Sequence, residues 1–370
     1  MPLIESPPNE LAATTLQKFS TPPITKEELQ WADLIQLDLS EFDKGPDAQA
    51  HLAKTFLESA HTTGFLYIVN HGISPEMVAH HADIANTILS LPEHEKAPYY
   101  ATKERAQEGR FTGFKPAQLG AANGLHPTID HYNFPRFHSE IGDEMDEHMP
   151  QLAKEYMSEA KELSLYLHKV VCRKLLILIA IALKVPLDTY TNLHTYEAKC
   201  ESFLRYMKYE PRTEEDNEKY KDLYLPGHAD WGSLTFLFNQ PITALQILDP
   251  QDNWKHVKYM EGSIIVNVGE ALSHLTGGYL KPTVHRVVKP PKDQENYRRI
   301  SLIYFVRPFD TCPLVPPDSP VLKEKGYQQP TETMTMAQYA SARYGGYRRL
   351  NYDNDKPGAA AQGPHTMRKV

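Results

Sequence analysis

Two grammars of hydrophobic spacing divide the chain. Before about residue 195 apolar residues recur at helical intervals; after Phe203 they fall in short alternating runs closed by turns. In the first half, residues 34–39 alternate as a strand with one buried face would. From Pro46 to about Thr62 the pattern predicts a helix, with Leu52, Phe56 and Leu57 on one side and Gly64 ending it. Residues 65–69 read as a buried strand stopped by Asn70-His71-Gly72. Ser74-Pro75-Glu76 opens a second helix, with Ser as N-cap and Pro at the first helical position. Residues 150–185 carry one long helical pattern, a brace for the outside of a sheet. Residues 100–148 have no clean period and are rich in Gly, Pro, Phe, Tyr and His, which reads as a lid or binding loop.

In the second half, strands are expected at 203–209, 233–238, 244–248, 254–259, 263–267, 284–288 and 299–306, the pattern of an all-β sandwich or barrel. The acidic stretch 213–222 reads as a solvated loop, and a helix runs from residue 331 to about Arg343. The expected organisation is a flexible arm (1–30), a mostly helical region (31–195), a β core (196–345) and a mobile tail (346–370). The fold class is α+β with a mainly β core.

Composition narrows the setting. The 370 residues are 41% hydrophobic and 23% charged, ordinary for a soluble globular protein. A net charge of −8 without a Lys/Arg cluster argues against a nucleic-acid partner. Three widely spaced cysteines, an odd number, fit a reducing compartment better than a disulfide framework. Residues 1–23 are polar and proline-bearing, unlike a secretory leader. The most apolar run, residues 175–185, falls short of the about 20 residues that span a bilayer. A cytoplasmic protein without a membrane partner is expected.

The candidate chemistry sits on strand-like runs. His228 and Asp230, one residue apart, enter the alternating run after Gly232, and residues i and i+2 share a face. His285 lies on a later run and Arg299-x-Ser301 on a third. Two imidazoles and a carboxylate are the set that holds non-haem Fe(II) with one face left open. An HxD pair also arises by chance among 17 histidines, as a structural His bonded to a nearby Asp. Arg299 and Ser301 share a face, and a guanidinium with a hydroxyl suits a carboxylate. The alternative for Arg299 is an internal Asp or Glu partner; Arg298 faces the other way.

With these residues the sequence resembles the 2-oxoglutarate/Fe(II)-dependent dioxygenases, in particular the isopenicillin N synthase-like branch. The motifs are His228-x-Asp230, His285 and Arg299-x-Ser301, with residues 64–73 (Gly-Phe-Leu-Tyr-Ile-Val-Asn-His-Gly-Ile) similar to that branch's strand-and-turn signature. The resemblance covers roughly residues 32–345. It implies a distorted double-stranded β-helix, a cupin-like jelly roll, with helices outside. It implies Fe(II) on His228, Asp230 and His285, and 2-oxoglutarate and O2 as co-substrates. Arg299 and Ser301 would take the distal carboxylate of 2-oxoglutarate. Tyr209 resembles the family Tyr ahead of a Pro-containing turn and becomes a second co-substrate contact. Many relatives carry Asn two residues earlier; here Met207 stands there, which puts one polar contact in doubt.

The activity so implied is hydroxylation, desaturation or rearrangement at a C–H bond of a small organic metabolite, in specialised-metabolite biosynthesis, with release of succinate and CO2. Candidate substrate contacts are Trp231, Phe305, Arg307 and the loop residues Arg110, Phe111, Phe114, Tyr132 and Phe134, although loop aromatics often pack beneath their own loop. Two other readings remain open: an iron oxidase of the same branch that uses RxS on a substrate carboxylate, and a non-catalytic binding protein on this fold. The oligomeric state is not legible.

Overall fold

Alternation at every second residue decides which face of the central sheet a side chain serves. The computed structural model describes residues 15–101, 112–115, 129–134, 136–137, 149–327, 330 and 333–343. The expected tail (346–370) and the first half of the expected arm lie outside them. Among the described residues, eight strands form one sheet: β1 (Gln36–Asp38), β2 (Phe65–Val69), β3 (Gly113–Lys115), β4 (Ile129–Phe134), β5 (Phe203–Tyr209), β7 (Leu234–Phe238), β10 (Ile264–Val268) and β12 (Arg299–Val306). Their order is β1-β2-β10-β7-β12-β5-β4-β3. A second sheet is built from β6 (Leu223–His228), β8 (Leu245–Leu248), β9 (Trp254–His256) and β11 (His285–Val288), in the order β6-β11-β8-β9. Apart from the parallel β1–β2 pair, neighbours are antiparallel. The architecture is the expected double-stranded β-helix with helices packed outside.

The outer face of the large sheet carries Leu204, Tyr206, Phe236, Val266, Leu302 and Tyr304. All are buried in one cluster with Leu52 and Phe56 of helix α1 (Pro46–Thr62) and Ile84 and Ile88 of helix α2 (Pro75–Leu89). At roughly 1.5–3 kcal/mol for each fully buried Leu, Ile or Phe side chain, this face dominates stability. The inner face meets the small sheet through two smaller clusters. Phe65, Tyr67 and Ile265 pack on Leu245 and Ile247, and Met207 and Tyr209 pack on Tyr224, Ala244 and Val287. Between these clusters the inner face is able to carry polar groups.

Both helix starts follow the expected chemistry. Pro46 opens α1, and the Ser74 hydroxyl accepts from the Met77 amide ahead of α2. Gly64 adopts φ +66°, and a Cβ there would meet the Lys281 carbonyl, so only glycine lets α1 turn into β2. Other segments depart from the sequence reading. Residues 150–185 form three helices, Gln151–Glu155, Met157–Tyr166 and Arg173–Ala182, the last two joined by a π turn at Leu167–Cys172. The wider turn places His168 between the Tyr304 hydroxyl (3.0 Å) and the His194 carbonyl (2.6 Å). The acidic stretch is a helix, Glu214–Lys219. Thr213 caps its N-terminus, and its first-turn acids favour the positive end of the dipole. Strands β3 and β4 lie inside the stretch that shows no period, and β6 forms despite Pro226 and Gly227. Residues 15–30 have almost no regular structure, yet the Phe19 amide and the Lys18 ammonium both bind Asp83 of α2 at 2.7 Å.

Several histidines tie the outer layer to the sheet while buried. His81 of α2 shares a 2.6 Å hydrogen bond with the Tyr206 hydroxyl, and His71 contacts the Gly262 carbonyl. Burial pushes His81 down to about 3 and His71, His168 and His194 down to about 4. The unfolded chain, with ordinary values near 6.5, therefore binds protons first as pH falls. Their contribution is complete above about pH 6.5 and is lost progressively toward pH 4. Stability from urea unfolding should drop between about pH 7 and about pH 5 by an amount on the order of a few kcal/mol; an unchanged stability would contradict neutral burial of these rings.

Candidate metal and co-substrate site

The end of β6 and the start of β11 are paired so that His228 and His285 are direct cross-strand partners, their rings 4.4 Å apart. Each Nδ1 faces a backbone carbonyl, Pro226 at 2.9 Å for His228 and Thr283 at 3.2 Å for His285. A carbonyl only accepts, so Nδ1 carries the hydrogen and both Nε2 lone pairs turn inward. Asp230 Oδ1 lies 3.7 Å from His228 Nε2 and 3.9 Å from His285 Nε2. Its Oδ2 accepts from Thr235 Oγ1 (2.6 Å) and Asn267 Nδ2 (2.9 Å), on β7 and β10. The three candidate ligand atoms lie within 4.8 Å of one another.

The protonation states suit a cation. Burial, with His285 adding to it, pushes His228 down to about 4 against the pull of Asp230. Burial raises Asp230, but His285, His228, Thr235 and Asn267 together bring it below the usual carboxylate value. The result at neutral pH is a neutral base beside an anion, the forms that ligate. The side chain of His228 keeps 38% of its surface against 12% for His285 and 10% for Asp230, so His228 marks the open side.

Behind Asp230 the backbone closes tightly. The Glu270 amide donates to the Asp230 carbonyl at 2.7 Å, and a Cβ on Gly269 would strike the Gly232 carbonyl. The Glu270 carboxylate accepts from the Tyr339 hydroxyl (2.6 Å) and pairs with Arg343 (3.0 Å). Arg343 in turn reaches to 6.0 Å from the Trp231 ring.

A second constellation lies on the inner face of β12. Arg299 and Ser301 are opposite Tyr209 and Met207 of β5. Arg299 is 5% exposed, its guanidinium 4.8 Å from the Tyr209 ring, and its Nε is buried without a hydrogen-bond partner. Among the described residues no Asp or Glu pairs with it, so the internal-acid alternative has no support. A buried cation of this kind calls for an anion from outside. Ser301 Oγ accepts from Gln240 Nε2 (3.2 Å), which directs the hydroxyl hydrogen elsewhere. The Tyr209 hydroxyl donates to Met207 Sδ (3.1 Å), and Met207 otherwise packs in the apolar cluster with Tyr224 and Val287.

The remaining candidates separate by face. Phe305 is on the inner face, its ring 4.9 Å from Phe203, and Trp231 is half-buried beside Asp230. Phe114, Tyr132 and Phe134 are not pocket residues. They are 1%, 0% and 0% exposed in the outer-face core, because the alternation of β3 and β4 turns them toward the helices. Arg110 and Phe111 lie outside the described residues. Thr235, Asn267, Gln240, Arg205, Asn133 and His131 escaped the sequence reading. Asn267, a lone polar residue within Ile-Ile-Val-Asn-Val, was the one with a legible signal.

Comparison with known proteins bears on this geometry. Residues 200–308 match the model of the 2OG-Fe(II) oxygenase superfamily, and residues 35–155 match that of the non-haem dioxygenase N-terminal region named for morphine synthesis. The chain belongs to the 2-oxoglutarate/Fe(II)-dependent dioxygenases. It is an oxidoreductase whose cofactor is Fe(II) and whose co-substrates are 2-oxoglutarate and O2. A UPF0676 protein of Schizosaccharomyces pombe is 28% identical over 316 residues, 83% of this chain and 90% of that protein. Gibberellin 2-beta-dioxygenase 2 of Arabidopsis thaliana is 28% identical over 306 residues, 81% and 82% of the two chains. A full-length Neurospora crassa protein, solved in complex with alpha-KG and thymine, superposes with a TM-score of 0.73 at 21% identity, over 85% of this dioxygenase and 97% of the other chain. That likeness establishes the shared fold.

The grip of β7 and β10 on Asp230 gives a testable consequence. Asn267→Ala and Thr235→Val each remove one of the two hydrogen bonds to Oδ2 without touching a candidate ligand. Each should weaken Fe(II) affinity about 10- to 100-fold in equilibrium dialysis. Unchanged affinity in both would show that Asp230 needs no such support.

Proposed function

We propose that His228, Asp230 and His285 hold the Fe(II), and that Arg299 and Ser301, with Tyr209 beside them, bind the distal carboxylate of 2-oxoglutarate. The observation that carries the second half is Arg299: a cation buried on the inner face, with an unpartnered Nε and no described acid beside it. The inward-facing Nε2 atoms of the two histidines and the inward-pointing Oδ1 of Asp230 support the first half. When bound, the iron and its co-substrates supply the oxidising power for C–H cleavage, releasing succinate and CO2.

The protein's own residues orient and dehydrate. The Ser301 hydrogen, freed by the Gln240 contact, and the Arg299 guanidinium give a carboxylate charge-assisted hydrogen bonds. Met207, Tyr209, Tyr224 and Val287 wall this end with apolar surface, which strengthens those bonds by excluding water. The substrate class favoured is a small organic metabolite of specialised metabolism. Relatives named as gibberellin 2-beta-dioxygenase, feruloyl CoA ortho-hydroxylase and mugineic-acid 3-dioxygenase, each 24–28% identical, support that choice.

Anaerobic titration of the Fe(II)-loaded protein with 2-oxoglutarate should raise a weak visible charge-transfer band. The band should be absent in His228→Ala. Its absence from the wild type with iron still bound would favour the oxidase that needs no 2-oxo acid. Arg299→Ala should weaken 2-oxoglutarate roughly 10- to 100-fold, the loss of one charged partner. A change confined to the organic substrate would assign Arg299 to that substrate instead.

A further inference from the structure

Strand register lays out a second cationic position on the inner face. Asn133, Arg205, Ile303 and Leu237 are consecutive cross-strand partners on β4, β5, β12 and β7. The next row, Phe203, Phe305, Thr235 and Asn267, ends on the two residues that grip Asp230. Arg205 therefore stands beside the metal row and two strands from β7, about 10 Å at normal strand spacing. Arg299 sits opposite Tyr209, at the other end of the β5–β12 pairing, so the two cations serve separate positions.

Arg205 is held in a defined pose. Its Nε donates to Asn133 Oδ1 at 2.7 Å, which sets the plane of the guanidinium. The group lies 5.2 Å from the Phe203 ring centroid and 5.0 Å from that of Phe305. Two rings remove water from around the cation and so strengthen its attraction for an anion. On the same face of β4, two residues from Asn133, is His131. It is 6% exposed and its Nε2 is buried with no partner among the described residues. Burial, then Arg205 and Lys115, hold His131 well below its usual value, so it is a neutral hydrogen-bonding group. A fixed guanidinium, an unsatisfied buried imidazole and flanking aromatic rings share one side of the sheet next to the candidate metal ligands.

We infer that this region binds the anionic head of the substrate, with Arg205 as the specificity-determining residue and His131 as a second contact, and that the substrate is a small carboxylic acid whose apolar body lies against Phe305. The inference rests on the dioxygenase site proposed above.

The test uses the anaerobic Fe(II)/2-oxoglutarate protein and pairs of aliphatic and aryl carboxylic acids with their methyl esters. Binding is read from the shift each probe causes in the charge-transfer band. At least one acid should bind roughly 10- to 100-fold tighter than its ester. Arg205→Met should erase that preference, Arg205→Lys should restore part of it, and Asn133→Ala should reduce it by a smaller factor. Acids and esters binding alike, or no acid binding, overturns the proposal. So does an Arg205→Met variant that keeps the preference, or one that weakens 2-oxoglutarate by the same factor as the acid. If Arg205→Met does not fold, the lysine and Asn133 variants decide the matter. Failure of the dioxygenase reading is distinct, because the 2-oxoglutarate band itself would be missing before any acid is added.

Discussion

One carboxylate holds the two sheets in working relation. Asp230 leaves the small sheet just after β6, and its Oδ2 is fastened to β7 and β10 of the large sheet by Thr235 and Asn267. The other oxygen is thereby pointed at two histidines paired across β6 and β11. Division of labour between the oxygens is what makes a rigid three-point set out of residues far apart in the chain. A carboxylate free to rotate would offer either oxygen and define neither direction. The stable outer-face core allows this, since it leaves the inner face free of the duty to be apolar.

The inner face then reads as a polarity map drawn by register. Arg299, Ser301 and Tyr209 occupy one end, the Asp230 clamp the other, and Arg205 with Asn133 and His131 the flank. Apolar walls separate the polar positions, so each charge sits where water is scarce. In such surroundings a buried guanidinium is costly alone and selective in company, which is why anion partners explain the arrangement better than stability does.

Much of this was legible from residue order, and the failures have physical causes. The helices from Pro46 and Pro75, the strands bearing His285 and Arg299, and the fold implied by the motifs all stand. Strand β6 was missed because Pro226 and Gly227 disfavour a strand in isolation, whereas pairing with β11 on one edge is enough to form it. The region 100–148 shows no long period; the strands described there, β3 and β4, span three and six residues. There the large aromatics Phe114, Tyr132 and Phe134 drew attention as pocket residues. Their neighbours Asn133 and His131 are the ones on the inner face; a shift of one residue exchanges the faces. No local pattern says which side of a two-sided sheet carries the site. The helical pattern at 150–185 was right in period, but a π turn rotates it midway, and only its tertiary partners, Tyr304 and His194, reveal why.

The grip on Glu270 carries a practical consequence. Its amide supports the Asp230 carbonyl, while its carboxylate is held by Tyr339 and Arg343 near the far end of the described residues. The helix bearing Tyr339 and Arg343 and the turn behind the candidate ligands thus share a single acidic residue. A change at Tyr339 or Arg343 is therefore felt at the turn that backs Asp230, although both residues lie outside the two sheets.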